Sequence, residues 1–203
     1  MLPRIHLITH FDRLDHEALR LVTAVVDAGV DAIQVRAKEA TDRQLVVWTR
    51  AVVQAVHPRG AQVIVNDRLD LALAAGADGV HLGSDDLPVA DARLLAPSGF
   101  LIGATCRGRA DAQRARADGA DYAGVGPVHV STTKTALPDP IGLDALSAAA
   151  LTIPTIAIGG ITADRVPTVL RAGAYGVAVV AAVWQALDPP RAAKEIVDLV
   201  CAA

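Results

Sequence analysis

Ala28-Gly29-Val30-Asp31-Ala32-Ile33 is the first of four copies of one phrase in this chain. The others are Ala75-Gly76-Ala77-Asp78-Gly79-Val80, Asp118-Gly119-Ala120-Asp121-Tyr122-Ala123 and Ala172-Gly173-Ala174-Tyr175-Gly176-Val177. Each copy follows an Ala- and Leu-rich stretch with helical spacing and precedes a short β-branched run. Glycine there suits the left-handed position just past a helix C-terminus, because it carries no Cβ to clash. Each copy is therefore a joint at which a helix stops and a strand begins, and four such joints describe αβ units in series.

Working outward from the joints, the strands read as Ile5–Thr9, Ala32–Arg36, Gln62–Asn66, Gly79–Gly83, Leu101–Thr105, Tyr122–Gly126, Thr155–Gly159 and Gly176–Ala181. Asp15–Ala28 has apolar residues at Ala18, Leu19, Val22, Val25 and Val26, the 3.6-residue period of an amphipathic helix. Thr41–Val56 reads likewise, with Thr41 as N-cap. The remaining helices are Arg68–Ala75, Val89–Ala96, Arg109–Ala117, Leu143–Ala150, Ala163–Ala172 and Pro190–Val200. Strict alternation of strand and helix implies a parallel sheet. Eight units close into a (β/α)8 barrel of the TIM type, for which about 200 residues is the lower size limit. A doubly wound open sheet is the alternative. It wants a Gly-rich turn after the first strand, and Thr9-His10-Phe11-Asp12-Arg13 has no glycine.

Composition agrees. Hydrophobic residues make up 52% of the 203 positions but aromatics only 3%, so the core is built from Ala, Val, Leu and Ile. That is the make-up of parallel strands buried on both faces and covered by helices. No linker or low-complexity block divides residues 1–203, so one compact domain is expected. A formal net charge of −3 without a basic stripe speaks against nucleic acid as a partner. No apolar run has the length of a membrane span, and no signal-peptide pattern is present. Cys106 and Cys201 lack metal or redox spacing. These features describe a soluble cytoplasmic protein with reduced thiols.

Barrel active sites lie at the C-terminal ends of the strands. Polar residues should then gather just after the strands, and they do. Strand 2 ends Gln34-Val35-Arg36-Ala37-Lys38, strand 3 Asn66-Asp67-Arg68, strand 4 His81-Leu82-Gly83-Ser84-Asp85-Asp86, and strand 5 Thr105-Cys106-Arg107. Strand 6 runs into Gly126 through Lys134, and strand 7 ends Gly159-Gly160-Ile161-Thr162. The opposite ends carry Ala, Gly and isolated Asp.

Gly159-Gly160 and the Val180-Ala181-Ala182 run can expose backbone N–H groups to an anion, and the loops after strands 7 and 8 are a recurrent phosphate site. The plain alternative is a tight turn that needs glycine. Asp67 and Asp86 follow adjacent strands, and two convergent carboxylates without Cys or His suit a hard cation such as Mg2+. Each alone would more ordinarily cap the helix that follows. Arg36, Lys38 and Lys134 fall on the same rim. Ser131, Thr132, Thr133 and Lys134 read as a second anion cradle. That many cations, with a metal, suit a diphosphate whose departure they would stabilise. Gln34 and Asn66 can read the edge of a heterocycle, or can be satisfied inside the barrel. His81 reads as a packed, hydrogen-bonded residue. His129 is a weak catalytic candidate. The segment 127–140, with Pro127, Pro138 and Pro140, is long enough for a lid.

With these residues in hand, the chain resembles the thiamine-phosphate synthase family. The resemblance runs through Gln34–Lys38, Asn66–Ala72, Asp78–Gly83 with Asp86, Tyr122–Lys134 and Ala157–Ile161, nearly the whole chain in order. It implies that hydroxymethylpyrimidine diphosphate is joined to thiazole phosphate with release of diphosphate. The C–O bond ionises first, and the thiazole nitrogen attacks the resulting cation. The partners implied are small molecules, with a homodimer as one open form of assembly. Carried over, Asp67 and Asp86 would hold Mg2+, and Arg36, Lys38, Asn66 and Lys134 the diphosphate. Gln34 and Thr105 would face the pyrimidine, and Ser131 and Thr133 would line the shared cradle. The backbone of Gly160, Val180 and Ala181 would take the thiazole phosphate. The chain departs from the family at Thr105 (usually Ser), Arg107 (often His), Val130-Ser131 (usually Pro-Thr) and Ala181 (usually Ser). A thiazole tautomerase shares the superfamily and places His directly after the strand-6 Gly. Pro127 stands there, which favours the synthase. A non-catalytic sensor of a thiamine precursor is the other alternative, and it would need no metal site.

Overall fold

The computed structural model describes residues 1–9, 14–131 and 138–203. Eight parallel strands close in sequence order into a barrel: β1 (Ile5–Ile8), β2 (Ala32–Val35), β3 (Gln62–Asn66), β4 (Gly79–Leu82), β5 (Leu101–Cys106), β6 (Tyr122–Val125), β7 (Thr155–Ile158) and β8 (Gly176–Val179). Pairing of β1 with both β2 and β8 completes the ring. The open doubly wound sheet is thereby excluded. The helices around it are α1 (His16–Asp27), α2 (Asp42–Val56), α3 (Leu69–Ala75), α4 (Val89–Leu95), α5 (Arg109–Ala117), α6 (Gly142–Ala150), α7 (Val166–Arg171), α8 (Ala181–Trp184) and α9 (Pro189–Cys201). No helix among the described residues is long and apolar enough to cross a membrane.

The joints take the expected form. Gly29, Gly76, Gly119 and Gly173 have φ of +108, +75, +95 and +99°, which a Cβ would make costly. The aspartate of each joint has a further role, since it caps a neighbouring strand. Asp31 accepts from the backbone N–H groups of Arg4 and Ile5, Asp78 from Val63 and Asp121 from Ile102, at 2.7–2.8 Å. The first residue of β1 and the second residues of β3 and β5 are thus tied across the N-terminal face. The fourth copy has Tyr175 instead, whose hydroxyl donates to the Leu2 carbonyl.

Several boundaries differ from the sequence reading. β8 stops at Val179 rather than at the expected Ala181, and Ala181–Trp184 forms an extra helical turn. Alanine has little to gain from a pleated surface, and Trp184 holds the turn by donating from Nε1 to the Ile8 carbonyl at 2.7 Å. The helix expected over Ala163–Ala172 begins instead as a 3-10 turn, Ala163–Arg165, with α7 starting at Val166. Pro167 lies in its first turn, where a missing N–H costs no hydrogen bond. Several strands end one residue early, so Thr9, Arg36, Gly83, Gly126 and Gly159 belong to the connections on the rim.

Strand residues alternate between two cores. The outer core packs Leu7, Ile33, Val63, Val80, Ile102, Ala123, Ala157 and Val177, each fully buried, against the helices. The barrel interior is partly polar. His6, His81 and Tyr122 pack their rings together, with centroids 5.0 and 5.6 Å from Tyr122. Gly103 makes room for them, since a Cβ there would lie 2.1 Å from Tyr122 Cζ. Burial holds His6 and His81 at pKa about 4, so both rings are neutral. His81 meets the Tyr122 hydroxyl at 3.2 Å and Thr105 Oγ1 at 3.1 Å. This is the packed, hydrogen-bonded residue expected from the sequence, and it also carries a contact up to the mouth of the barrel.

Candidate active site

Every described candidate residue lies at the C-terminal end of the barrel, because each follows or ends a strand. The mouth holds a cavity of about 340 Å³ lined by Gln34, Arg36, Asn66, His81, Thr105 and Arg107, among others. A smaller cavity of about 200 Å³ adjoins it, lined by Ser131, Gly160, Ile161, Arg165, Val180 and Ala181, among others. Ile158, Gly159 and Val180 line both. The two form one trough, with several polar side chains at one end and the Gly159-Gly160 turn, apolar residues and Arg165 at the other.

At the polar end a hydrogen-bonded row runs from the interior to the rim. Gln34 Nε2 donates to Asn66 Oδ1. Asn66 Nδ2 donates to Asp67 Oδ1 at 2.6 Å. Asp67 is the one non-glycine residue with positive φ among the described residues, at +68°. Such a conformation costs on the order of 1 kcal/mol and persists only where its surroundings require it. Burial first, and then the negative charge of Asp86, raise the Asp67 carboxyl above its ordinary range, while Lys38 and the Asn66 bond oppose them. The two carboxylates have therefore converged. Neither caps a helix: α3 starts after Arg68 and α4 after Pro88, both without a side-chain cap bond. Instead Asp86 Oδ2 accepts from the Gly83 N–H at 2.6 Å, bending the β4–α4 connection back toward Asp67. No group of three or more His, Cys, Asp or Glu side chains among the described residues is placed to hold a metal ion. Two carboxylates with solvent access remain a fitting donor set for Mg2+, which keeps several water or phosphate ligands.

The cations divide into three situations. Arg36 is half-buried on the cavity wall, with its backbone clasped by the Thr9 hydroxyl at 2.9 and 3.2 Å. Lys38 is exposed, and its charge acts on Asp67. Lys134 and Thr133 lie outside the described residues, as do residues 132–137 of the 127–140 segment generally. Arg68, although next to Asp67, is committed to Asp42 and Asp70. Arg107 lines the mouth and donates to the Asp139 carbonyl at 2.9 Å.

At the other end, Gly159 and Gly160 have φ of +91 and +62°. A Cβ on Gly160 would lie 2.4 Å from the Val130 carbonyl oxygen, and one on Gly159 2.5 Å from Pro127 Cβ. The carbonyls of Ile158, Gly159 and Gly160 accept from Val128 N, His129 N and Arg165 Nη1. Arg165 is a site residue the sequence reading missed. A cation at a helix start normally reads as solvated surface, and only its position five residues past Gly160 hinted otherwise. His129 is not among the residues lining either cavity. Its Nε2 is buried without a partner among the described residues, and burial followed by the charge of Arg165 pushes its pKa down.

Comparison with known proteins follows the same direction. The family model described as thiamine monophosphate synthase (TMP-TENI) matches residues 5–183. A thiamine-phosphate synthase of Salinispora arenicola is 47% identical over 206 aligned residues, covering 98% of this chain and 99% of its own. One of Methanoculleus marisnigri is 48% identical over 177 residues, covering 86% and 84%. The solved structure of a thiamine phosphate pyrophosphorylase from Pyrococcus furiosus superposes with a TM-score of 0.88 at 34% identity, covering 98% of this chain and 96% of that one. The chain belongs to the thiamine monophosphate synthase family.

Proposed function

We propose that this chain joins hydroxymethylpyrimidine diphosphate to thiazole phosphate, releasing diphosphate and forming thiamine phosphate. The observation that carries the reading is the two-ended trough. Its charged end is lined by Arg36 and by Asn66, which bonds Asp67 of the Asp67–Asp86 pair on which the Lys38 charge acts, and its other end is lined by the Gly159-Gly160 turn.

In this reading Asp67 and Asp86 hold Mg2+, which, when bound, would neutralise diphosphate oxygens and so favour their departure. Arg36, Lys38, Asn66 and Lys134 hold the diphosphate, and Ser131 and Thr133 complete the cradle. Gln34 and Thr105 face the pyrimidine, with Thr105 steadied by His81. The backbone of Gly160, Val180 and Ala181 takes the thiazole phosphate. The C–O bond to the diphosphate breaks with its electron pair leaving on oxygen. The thiazole nitrogen then donates its pair to the pyrimidine methylene carbon, forming the C–N bond. The chain's residues need only orient and stabilise charge. Consistent with this, neutral His81 is engaged within the barrel and His129 lines neither cavity. The partners are these small molecules. The balance of charge favours no nucleic acid, and the reading places the protein in the cytoplasm.

The test is incubation with both precursors and Mg2+, with diphosphate measured. Absence of diphosphate release from the two precursors together would sink the proposal.

A further inference from the structure

Arg165 is the one charged side chain among the described residues lining the smaller cavity. It is half-buried, and its Nη1 donates to the Gly160 carbonyl at 2.7 Å. A guanidinium has five N–H donors in a planar fork, so this bond occupies one of them. No carboxylate among the described residues forms an ion pair with it. The adjacent Asp164 is engaged chiefly by the Thr162 hydroxyl. A partly desolvated cation with spare donors thus borders a cavity otherwise lined by uncharged, mostly apolar residues among those described.

We propose that Arg165 is a specificity-determining residue for the second substrate. It pins the Gly159-Gly160 turn through the Gly160 carbonyl and presents its remaining donors to a phosphate monoester in the cavity. The inference rests on the synthase reading of that cavity. It makes this chain discriminate between a phosphorylated thiazole and the free thiazole alcohol, because among the described residues the guanidinium forms no ion pair, and the neighbouring Asp164, which also feels its charge, is held chiefly by the Thr162 hydroxyl. Arginine suits this task better than lysine, since its fork can hold the carbonyl and a phosphate oxygen together.

The experiment compares the wild type with Arg165→Met and Arg165→Lys, with folding checked by thermal melting. Inorganic phosphate is titrated by calorimetry, and KM is measured for each precursor separately. Arg165→Met should weaken phosphate binding and raise KM for the thiazole phosphate by about tenfold, the scale of one charge-assisted hydrogen bond. KM for the pyrimidine diphosphate should stay within about twofold, a change too small to represent a lost contact. Arg165→Lys should recover part of the loss. Equal phosphate affinity in wild type and Arg165→Met, or equal rises in both KM values, would overturn the inference. Failure of the wild type to release diphosphate would instead overturn the synthase reading, and the phosphate titration reads Arg165 independently of it.

Discussion

Asn66 Nδ2 donates to Asp67 Oδ1 at 2.6 Å, and the Asn66 amide oxygen is itself held by Gln34 from inside the barrel. The carboxylate proposed to hold a cation is thereby oriented by the residues proposed to read the substrate. Replacing Asn66 with Ala removes that brace and leaves Gln34 without its acceptor. The half-saturating Mg2+ concentration should rise and kcat should fall, each by about tenfold, for the loss of a hydrogen bond to a charged group. Steady-state rates over a Mg2+ titration check this, and an unchanged Mg2+ dependence would show that Asp67 needs no brace.

The carboxylates themselves give a sharper expectation. Asp67→Ala and Asp86→Ala should each raise the Mg2+ requirement. Because both act on one ion, the double variant should be little worse than the weaker single one, against the additivity expected of independent sites. Additive losses would place the two residues in separate roles.

Lys134→Ala should lower turnover severely, because the resemblance assigns Lys134 to the leaving diphosphate. Single-turnover kinetics at saturating precursors would isolate the chemical step. An unchanged rate would mean that the diphosphate is held elsewhere on the rim.

The buried histidines predict how stability varies with pH. Each has its pKa lowered from 6.5 to about 4 by burial, with His81 also acting on His6. The unfolded chain therefore binds these protons at a higher pH than the folded one. The contribution is intact above pH 6.5 and is lost as pH falls toward 4. Lowering the pH from 7 to 5 should cost about 2 kcal/mol per histidine, by the scale of 1.36 kcal/mol per pKa unit. Urea unfolding between those pH values measures it. In His6→Leu the slope should drop by about one histidine's share, since one fewer proton is taken up on unfolding. A slope equal to that of the wild type would mean His6 is protonated alike in both states.

Asp78 accepts the Val63 N–H at 2.7 Å and also meets His57 Nε2 at 2.8 Å. Asp78→Ala leaves the β3 N–H without its partner and should cost about 1–3 kcal/mol of stability, the range for an unsatisfied backbone donor. Diphosphate release at room temperature should be unchanged, because the residue lies on the face opposite the trough. Equal midpoints in denaturant would show that this tie across the strands contributes nothing.

The four joints and the order of strands and helices were legible in the sequence because their causes are local. A glycine forced to positive φ and an apolar period of 3.6 act within a few residues. The strand ends could then be sided, which marked Gln34, Arg36, Asn66, Asp67, Asp86 and Thr105 as rim residues before any resemblance was used. The short α8 escaped this logic, since four residues cannot display a period.

What the tertiary structure decided depends on barrel closure and register. Whether Asp67 and Asp86 cap helices or face each other turns on a backbone reversal at φ +68° and on the Gly83 N–H, neither of which has a sequence signature. The joint aspartates look like turn residues until the register sets them beside strand starts 15 to 27 residues away. Arg165 looks like surface until closure brings the β7 and β8 ends to one cavity. The sequence by itself determined the repeating αβ unit and which end of it carries chemistry, because backbone sterics and hydrophobic periodicity are short-ranged. The pairing of one side chain with another across the barrel was decided only by the closed ring, which sets distances between residues that the chain keeps far apart.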